Sequence, residues 1–300
     1  MPRRSPLPLA VVAMITALAL AGCGATGDTG KSPAPASAPA SVPASPSASA
    51  SASKAPPSGS YVALGDSYSA APGVPTTSVA DGCFRSDHNY PHLLAAALHL
   101  SLTDVTCSAA TTGNLTGPQS IVQVAVPPQF DALKPTTALV TLGIGGNDLD
   151  LFEAVLDRCL IGDGQCLQGV DVSSAVATVE QRLTTALREI HRRSPAATVV
   201  LVGYPQLIPA NDTGCAQLPA DSEMLGTVRR LIAEFSTMMA RAAHAGGATY
   251  VDLIGPSAGH DICSSSPWIN GSQDTDQAIR FHPFLAEQQA VARLVQQALS

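Results

Sequence analysis

Hydrophobic residues are distributed along this chain in three unlike ways. From Leu7 to Leu20 they run almost without interruption. From residue 25 to 60 Ala, Ser and Pro alternate with hardly a large side chain, as in Pro39-Ala40-Ser41-Val42-Pro43. From Tyr61 onwards, short apolar runs alternate with longer stretches in which apolar residues recur at helical spacing. The runs predict strands at Tyr61–Leu64, Leu102–Cys107, Thr136–Ile144, Thr198–Val202 and Ala248–Leu253. The periodic stretches predict helices at Asn89–Leu100, Val172–Arg193, Ser222–His244 and Leu285–Leu299. Strands that are apolar throughout, alternating with helices, imply a parallel sheet covered on both faces. In such a fold the chemistry sits in the loops at the carboxyl edge of the sheet.

The two N-terminal regimes predict an address and a tether. Arg3 and Arg4 precede the Leu7–Leu20 run, which is too short to span a bilayer comfortably. The run ends in Leu20-Ala21-Gly22-Cys23, which resembles the lipobox of bacterial lipoproteins, where the Cys is acylated and becomes the new N-terminus. Arg3-Arg4 also permits a twin-arginine reading, but the flanking residues do not suit it. The expected layout is a signal peptide over 1–22, an acylated Cys23 heading a spacer over 23–60, and one folded domain over 61–300. The spacer has nothing with which to bury a core.

Composition narrows the partners. Of the chain, 45% is hydrophobic, only 13% is charged and the net charge is −7. An acidic chain lacks the positive surface that nucleic acid requires, and it does not dock electrostatically on anionic lipid. Membrane contact is therefore expected through the lipid anchor alone. No metal-binding pattern emerges: His88 and His92 are four apart with no third ligand and no H-E-x-x-H around them. They are expected to be polar residues at a helix entry. No phosphate-cradling G-x-x-x-x-G-K occurs either, so no cofactor is expected.

Three loops at the carboxyl edge carry candidate chemistry. After the first strand comes Gly65-Asp66-Ser67-Tyr68, where a tight turn can present a serine Oγ to a ligand. After the third comes Gly143-Ile144-Gly145-Gly146-Asn147-Asp148, in which Asn147 offers an amide donor. His282-Pro283 stands just before the final helix. Singly, each has a plain structural use: Ser67 as a helix cap, Asn147 or Asp148 as a cap of the next turn, His282 as a surface histidine. The G-x-S-x-G elbow of α/β-hydrolases is absent from the sequence.

Taken in this order, Gly65-Asp66-Ser67-Tyr68, Gly145-Gly146-Asn147-Asp148 and His282 resemble the motifs of the SGNH hydrolases, also called GDSL esterases and lipases. The resemblance covers nearly all of residues 61–300. It implies a flavodoxin-like α/β/α sandwich with a central parallel sheet. It also implies a serine ester hydrolase in which Ser67 is the nucleophile and His282 the base. The oxyanion hole would comprise the backbone N–H groups of Ser67 and Ala109 and the amide of Asn147. Ala109 stands where the family places glycine, a mild departure because the donor is a backbone group. A larger departure concerns the acid. The family's Asp three residues before the His is replaced here by Ile279. Asp274 or Asp276 could fold back to it. Alternatively, as in the secreted three-disulfide actinobacterial lipases and phospholipases, a main-chain carbonyl takes the acid's place, here that of Ile279 or Arg280.

Setting Cys23 aside leaves Cys83, Cys107, Cys159, Cys166, Cys215 and Cys263, an even set in a chain expected to be exported, which points to three disulfides. The resemblance implies that they join neighbours: Cys83–Cys107, Cys159–Cys166 and Cys215–Cys263. The resulting expectation is an exported, membrane-anchored monomer acting on small-molecule or lipid acyl esters. Two rival readings are a polysaccharide O-deacetylase of the same fold and a non-catalytic ligand-binding lipoprotein.

Overall fold

The computed structural model describes residues 57–121, 124–162 and 166–300. The expected signal peptide, Cys23 and most of the spacer lie outside the described residues.

Five parallel strands form the central sheet: β1 (Ser60–Gly65), β2 (Ser101–Asp104), β3 (Leu139–Gly143), β4 (Thr198–Val202) and β5 (Thr249–Val251). Their spatial order is β2-β1-β3-β4-β5, every pairing parallel. This is the flavodoxin-like order, and its switch point lies between β1 and β3, where connections leave in opposite directions and a crevice opens. The registers Tyr61↔Leu139 and Gly65↔Gly143 bring the two strand ends level. The loops carrying Ser67 and Asn147 therefore start side by side.

Four helices cover the sheet: α1 (Tyr90–Leu98), α2 (Val172–Arg193), α3 (Ser222–Gly246) and α4 (Leu285–Ala298). Successive strand residues face opposite layers. Val62 and Leu64 of β1 pack with Val179, Leu183 and Leu187 of α2 and Phe235 and Met239 of α3. Tyr61 and Ala63 pack with Leu94 of α1 and Val291 and Val295 of α4. The expected three-layer sandwich is thus present.

Local sequence sets the ends of these elements. Asp171 caps α2 by accepting from the Ser174 N–H at 3.0 Å, and Asp221 caps α3 through the Met224 N–H at 2.8 Å. Such caps contribute about 1 kcal/mol each. α3 runs to Gly246, slightly past the expected His244, and stops where Gly247 takes φ 78°. β2 ends earlier than expected because the Asp104 carboxylate accepts from both the backbone N–H and the hydroxyl of Thr106, turning the chain. No sequence signal announces the hairpins of Thr77–Ser78 with Arg85–Ser86 and of Gln119–Ile121 with Val124–Val126. The helical segment from Leu151 to Cys159 is equally unannounced.

The structure joins Cys83 to Cys107, Cys159 to Cys166 and Cys215 to Cys263, the neighbour pairing that the resemblance implied. No helix among the described residues is long and apolar enough to cross a membrane.

Candidate active site

Glycine makes the turn that carries Ser67 possible. A Cβ on Gly65 would lie 2.7 Å from the carbonyl oxygen of Gly143, so only hydrogen fits between the ends of β1 and β3. Asp66 then caps the short helical turn Ser67–Ala70, accepting from the Tyr68 N–H at 2.9 Å. The cap is thus Asp66, and the Ser67 side chain remains available for chemistry. Ser67 itself is buried at the first helical position, where a backbone N–H has no intrahelical acceptor.

The Ser67 hydroxyl meets His282 across the fold. Oγ lies 2.8 Å from Nε2, although 215 residues separate the two. Nδ1 lies 2.7 Å from the carbonyl oxygen of Arg280. A carbonyl can only accept, so Nδ1 carries the proton and Nε2 is left to accept from Ser67. Burial holds the His282 imidazole below its ordinary pKa, and the Arg280 carbonyl pulls the other way. The ring is therefore neutral near neutral pH, the form a general base requires.

The carbonyl at Nδ1 belongs to Arg280, while the Ile279 carbonyl accepts the His282 N–H at 3.2 Å. Asp274 comes near but serves the backbone: its Oδ1 accepts from the Arg280 N–H at 2.8 Å.

Asn147 lines the same cleft. One N–H of its amide is anchored on the Ala110 carbonyl at 3.0 Å, which leaves the second available. Asn147 makes no capping bond to the turn that follows it. Asp148 is buried and takes the structural role, bonded to the backbone N–H and hydroxyl of Thr112 and to Arg182. Ala109 is exposed and sits at φ 62°, the left-handed region that favours glycine. His88 and His92 lie at the entrance of α1 on Asp87 and Asn89 and do not line this cleft.

Residues that the sequence did not single out hold these loops together. The Tyr204 hydroxyl donates to Asp66 Oδ2 at 2.5 Å and accepts from the Gly146 N–H at 3.0 Å. It thereby couples the Ser67 turn to the loop of Asn147. Burial pushes the Asp66 carboxyl up to about 7, against the lowering effect of the Tyr204 and Tyr68 bonds. The Tyr68 hydroxyl donates to the Phe281 carbonyl at 2.7 Å, and the Tyr68 carbonyl accepts from Gln288 Nε2 at 3.0 Å. Tyr204 lies just beyond the end of β4 and Tyr68 beside the nucleophile. Their positions are the one signal that could have found them.

The cleft has a volume of about 450 Å³ and is walled by Phe152, Leu156 and Ile279, with Glu153, Asp157 and Arg280 among its polar lining. A larger groove of about 760 Å³ runs between the Thr111–Thr116 turn and α2. It holds neither Ser67 nor His282, so chemistry rather than size marks the smaller cleft as the site.

A family model described as the GDSL-like Lipase/Acylhydrolase family matches residues 63–286. Lipase 2 of Streptomyces coelicolor is 38% identical over 245 residues, which span 77% of this chain and 82% of that relative. A crystal structure of phospholipase A1 from Streptomyces albidoflavus superposes with a TM-score of 0.69 at 29% identity, covering 81% of this chain and 100% of the other. An extracellular lipase from Streptomyces rimosus gives a TM-score of 0.68 at 28% identity, covering 80% and 99%.

Proposed function

The chain belongs to the GDSL-like lipase/acylhydrolase family and is a serine ester hydrolase; on that premise we propose that Ser67 and His282 form its catalytic dyad, acting on acyl esters and lipids from outside the cytoplasm. The observation that carries this reading is the placing of the His282 ring between two oxygens, with the Arg280 carbonyl 2.7 Å from Nδ1 and Ser67 Oγ 2.8 Å from Nε2. Ser67 Oγ attacks the ester carbonyl while its proton passes to Nε2. The oxyanion that forms accepts hydrogen bonds from the N–H groups of Ser67 and Ala109 and from the free N–H of Asn147; each such donor is worth about 10²–10³ in rate. His282 then returns the proton to the leaving alcohol. Water, deprotonated by the same nitrogen, releases the acid and regenerates Ser67.

The apolar walls of the cleft suit an acyl chain, and the residues needed lie in one chain, so a monomer suffices. Three disulfides favour an oxidising compartment. Acylated Cys23 would retain the enzyme at the outer face of the membrane, with residues 23–60 as the spacer between anchor and domain. Replacing Cys23 by Ser should then abolish partitioning into detergent without affecting hydrolysis.

The direct test is a p-nitrophenyl ester series, from acetate to palmitate, with the whole chain. Wild type should hydrolyse at least part of the series. Ser67→Ala should fall to background with an unchanged Tm. A fully active Ser67→Ala would remove the serine from the mechanism.

A further inference from the structure

His282 depends on a backbone conformation that its neighbour resists. Phe281 sits at φ 57°, in the left-handed region that a bulky side chain disfavours. It occupies the third position of a turn closed by the His282 N–H on the Ile279 carbonyl, where glycine would be the usual residue. That conformation rotates the Arg280–Phe281 peptide so that the Arg280 carbonyl faces Nδ1. Were Phe281 to relax, this carbonyl would swing away and the ring would lose its orientation.

Three contacts oppose the relaxation. The Phe281 ring is buried, its N–H donates to the Gly271 carbonyl at 3.0 Å, and its carbonyl accepts from the Tyr68 hydroxyl at 2.7 Å. The third comes from the residue next to the nucleophile. Tyr68 is itself buried, with its ring packed edge-on to Tyr204 at 5.1 Å and lying 5.4 Å from the His282 ring. Its backbone is held by Asp66 and Gln288. The residues adjoining Ser67 and His282 are thus bonded directly to one another.

We propose that Tyr68 is a positioning residue for His282, its hydroxyl holding the Phe281 carbonyl so that the Arg280 carbonyl stays on Nδ1. This rests on the dyad reading above, and the two can fail separately. Tyr68 supplies no group to the substrate. It fixes the distance between nucleophile and base by joining their chain neighbours.

The test is Tyr68→Phe in the whole chain, which keeps the ring and removes only the strut. The control is Tyr61→Phe, which removes another buried hydroxyl, bonded to Thr141 at 2.7 Å between β1 and β3 and outside the lining of the cleft. In Tyr68→Phe, kcat should fall about tenfold with KM within about twofold, as expected when a reacting group is misplaced rather than substrate binding lost. The downfield proton resonance of His282 Nδ1, assigned by its loss in His282→Ala, should shift or broaden. Tyr61→Phe should lower Tm with kcat and that resonance unchanged. A Tyr68→Phe enzyme with kcat within twofold of wild type would overturn the proposal. So would a fall in kcat accompanied by an unaltered Nδ1 resonance, since the tyrosine would then act through something other than the base. Absence of ester hydrolysis by wild type would instead remove the dyad reading on which it stands.

Discussion

The two walls of the proposed catalytic cleft are built by different means. The wall bearing His282 is a turn held by backbone hydrogen bonds. Phe281 donates to Gly271, Asn270 donates to the His282 carbonyl, and the Asn270 amide ties down Ala278. The facing wall is the segment from Leu151 to Cys159, a helical turn that widens into π geometry and ends at the Cys159–Cys166 bridge. It holds its place through side chains: Phe152 packs on Tyr204 at 4.7 Å, and Asp157 pairs with Arg280 at 3.2 Å across the mouth. Both partners of that pair are about half exposed, and such pairs contribute at most about 1 kcal/mol. The base sits on a hydrogen-bonded frame, whereas Phe152 and Leu156, proposed to meet the acyl chain, sit on a wall fastened mainly by packing. Changes to the first should therefore act on kcat and changes to the second on KM and chain-length preference.

The largest effect should come from the base wall. His282→Ala should lower kcat by at least about 10³, the scale of losing a dyad member. Asp274→Asn and Asp276→Asn should each stay within about tenfold of wild type. The amide oxygen that replaces the Asp274 carboxylate can still accept the Arg280 N–H, and a carboxylate at Nδ1 is not part of the design. A loss near 10⁴ in either, with Tm retained, would show that an acid replaces the carbonyl during turnover.

Leu156→Ala tests the other wall. It shortens an apolar side chain of the cleft without touching the base. KM for long-chain p-nitrophenyl esters should rise about fivefold while acetate is unaffected, each buried methylene being worth roughly 0.8 kcal/mol. A fall in kcat with unchanged KM would erase the distinction between the walls.

How much of this is legible in the sequence differs between the walls as well. β4 and α2 are readable at their observed bounds because nothing competes with a continuous apolar run or a clean helical stripe. Ser67, Asn147 and His282 are legible because each follows a strand end or precedes a helix in a recognisable motif. The 151–159 wall is not: Leu151, Phe152, Val155 and Leu156 recur at helical spacing, but over nine residues, too short a stretch for the pattern to stand out, and the helix changes geometry within it. Nor can sequence choose between the Ile279 and Arg280 carbonyls. That choice turns on φ of Phe281, which is imposed by Tyr68 and Gly271 from other parts of the chain.

The foundation of the base wall carries a protonation cost. Glu287, at the start of α4, is buried, and burial pushes its carboxyl up to about 8 against the lowering bond from Gln288. Below pH 4.5 the folded and unfolded chains both hold this proton. Between 4.5 and about 8 only the folded chain keeps it, so stability falls as pH rises through that window. Asp66 adds the same sign between 3.8 and about 7. Glu287→Gln should therefore raise Tm by several degrees at about pH 8.5 and leave it nearly unchanged at about pH 4. An equal shift at both would mean that the carboxyl is not the source.

The smallest effect separates two residues that share a backbone conformation. Phe281 and Ala109 both lie in the left-handed region, at φ 57° and 62°. Phe281 is buried and strutted, whereas Ala109 is exposed, with little side chain to lose. In the folded chain, glycine at 109 relieves a strain of about 1 kcal/mol. The same glycine adds freedom to the unfolded chain, which takes back much of that gain. Ala109→Gly should therefore change Tm by no more than about two degrees, on the stabilising side. Because the proposed oxyanion donor is the backbone N–H, which glycine keeps, kcat should stay within about twofold. A tenfold loss of kcat at unchanged Tm would show that the methyl group restrains this loop, so that the oxyanion side, like the base side, owes its aim to a residue forced into an unfavoured conformation.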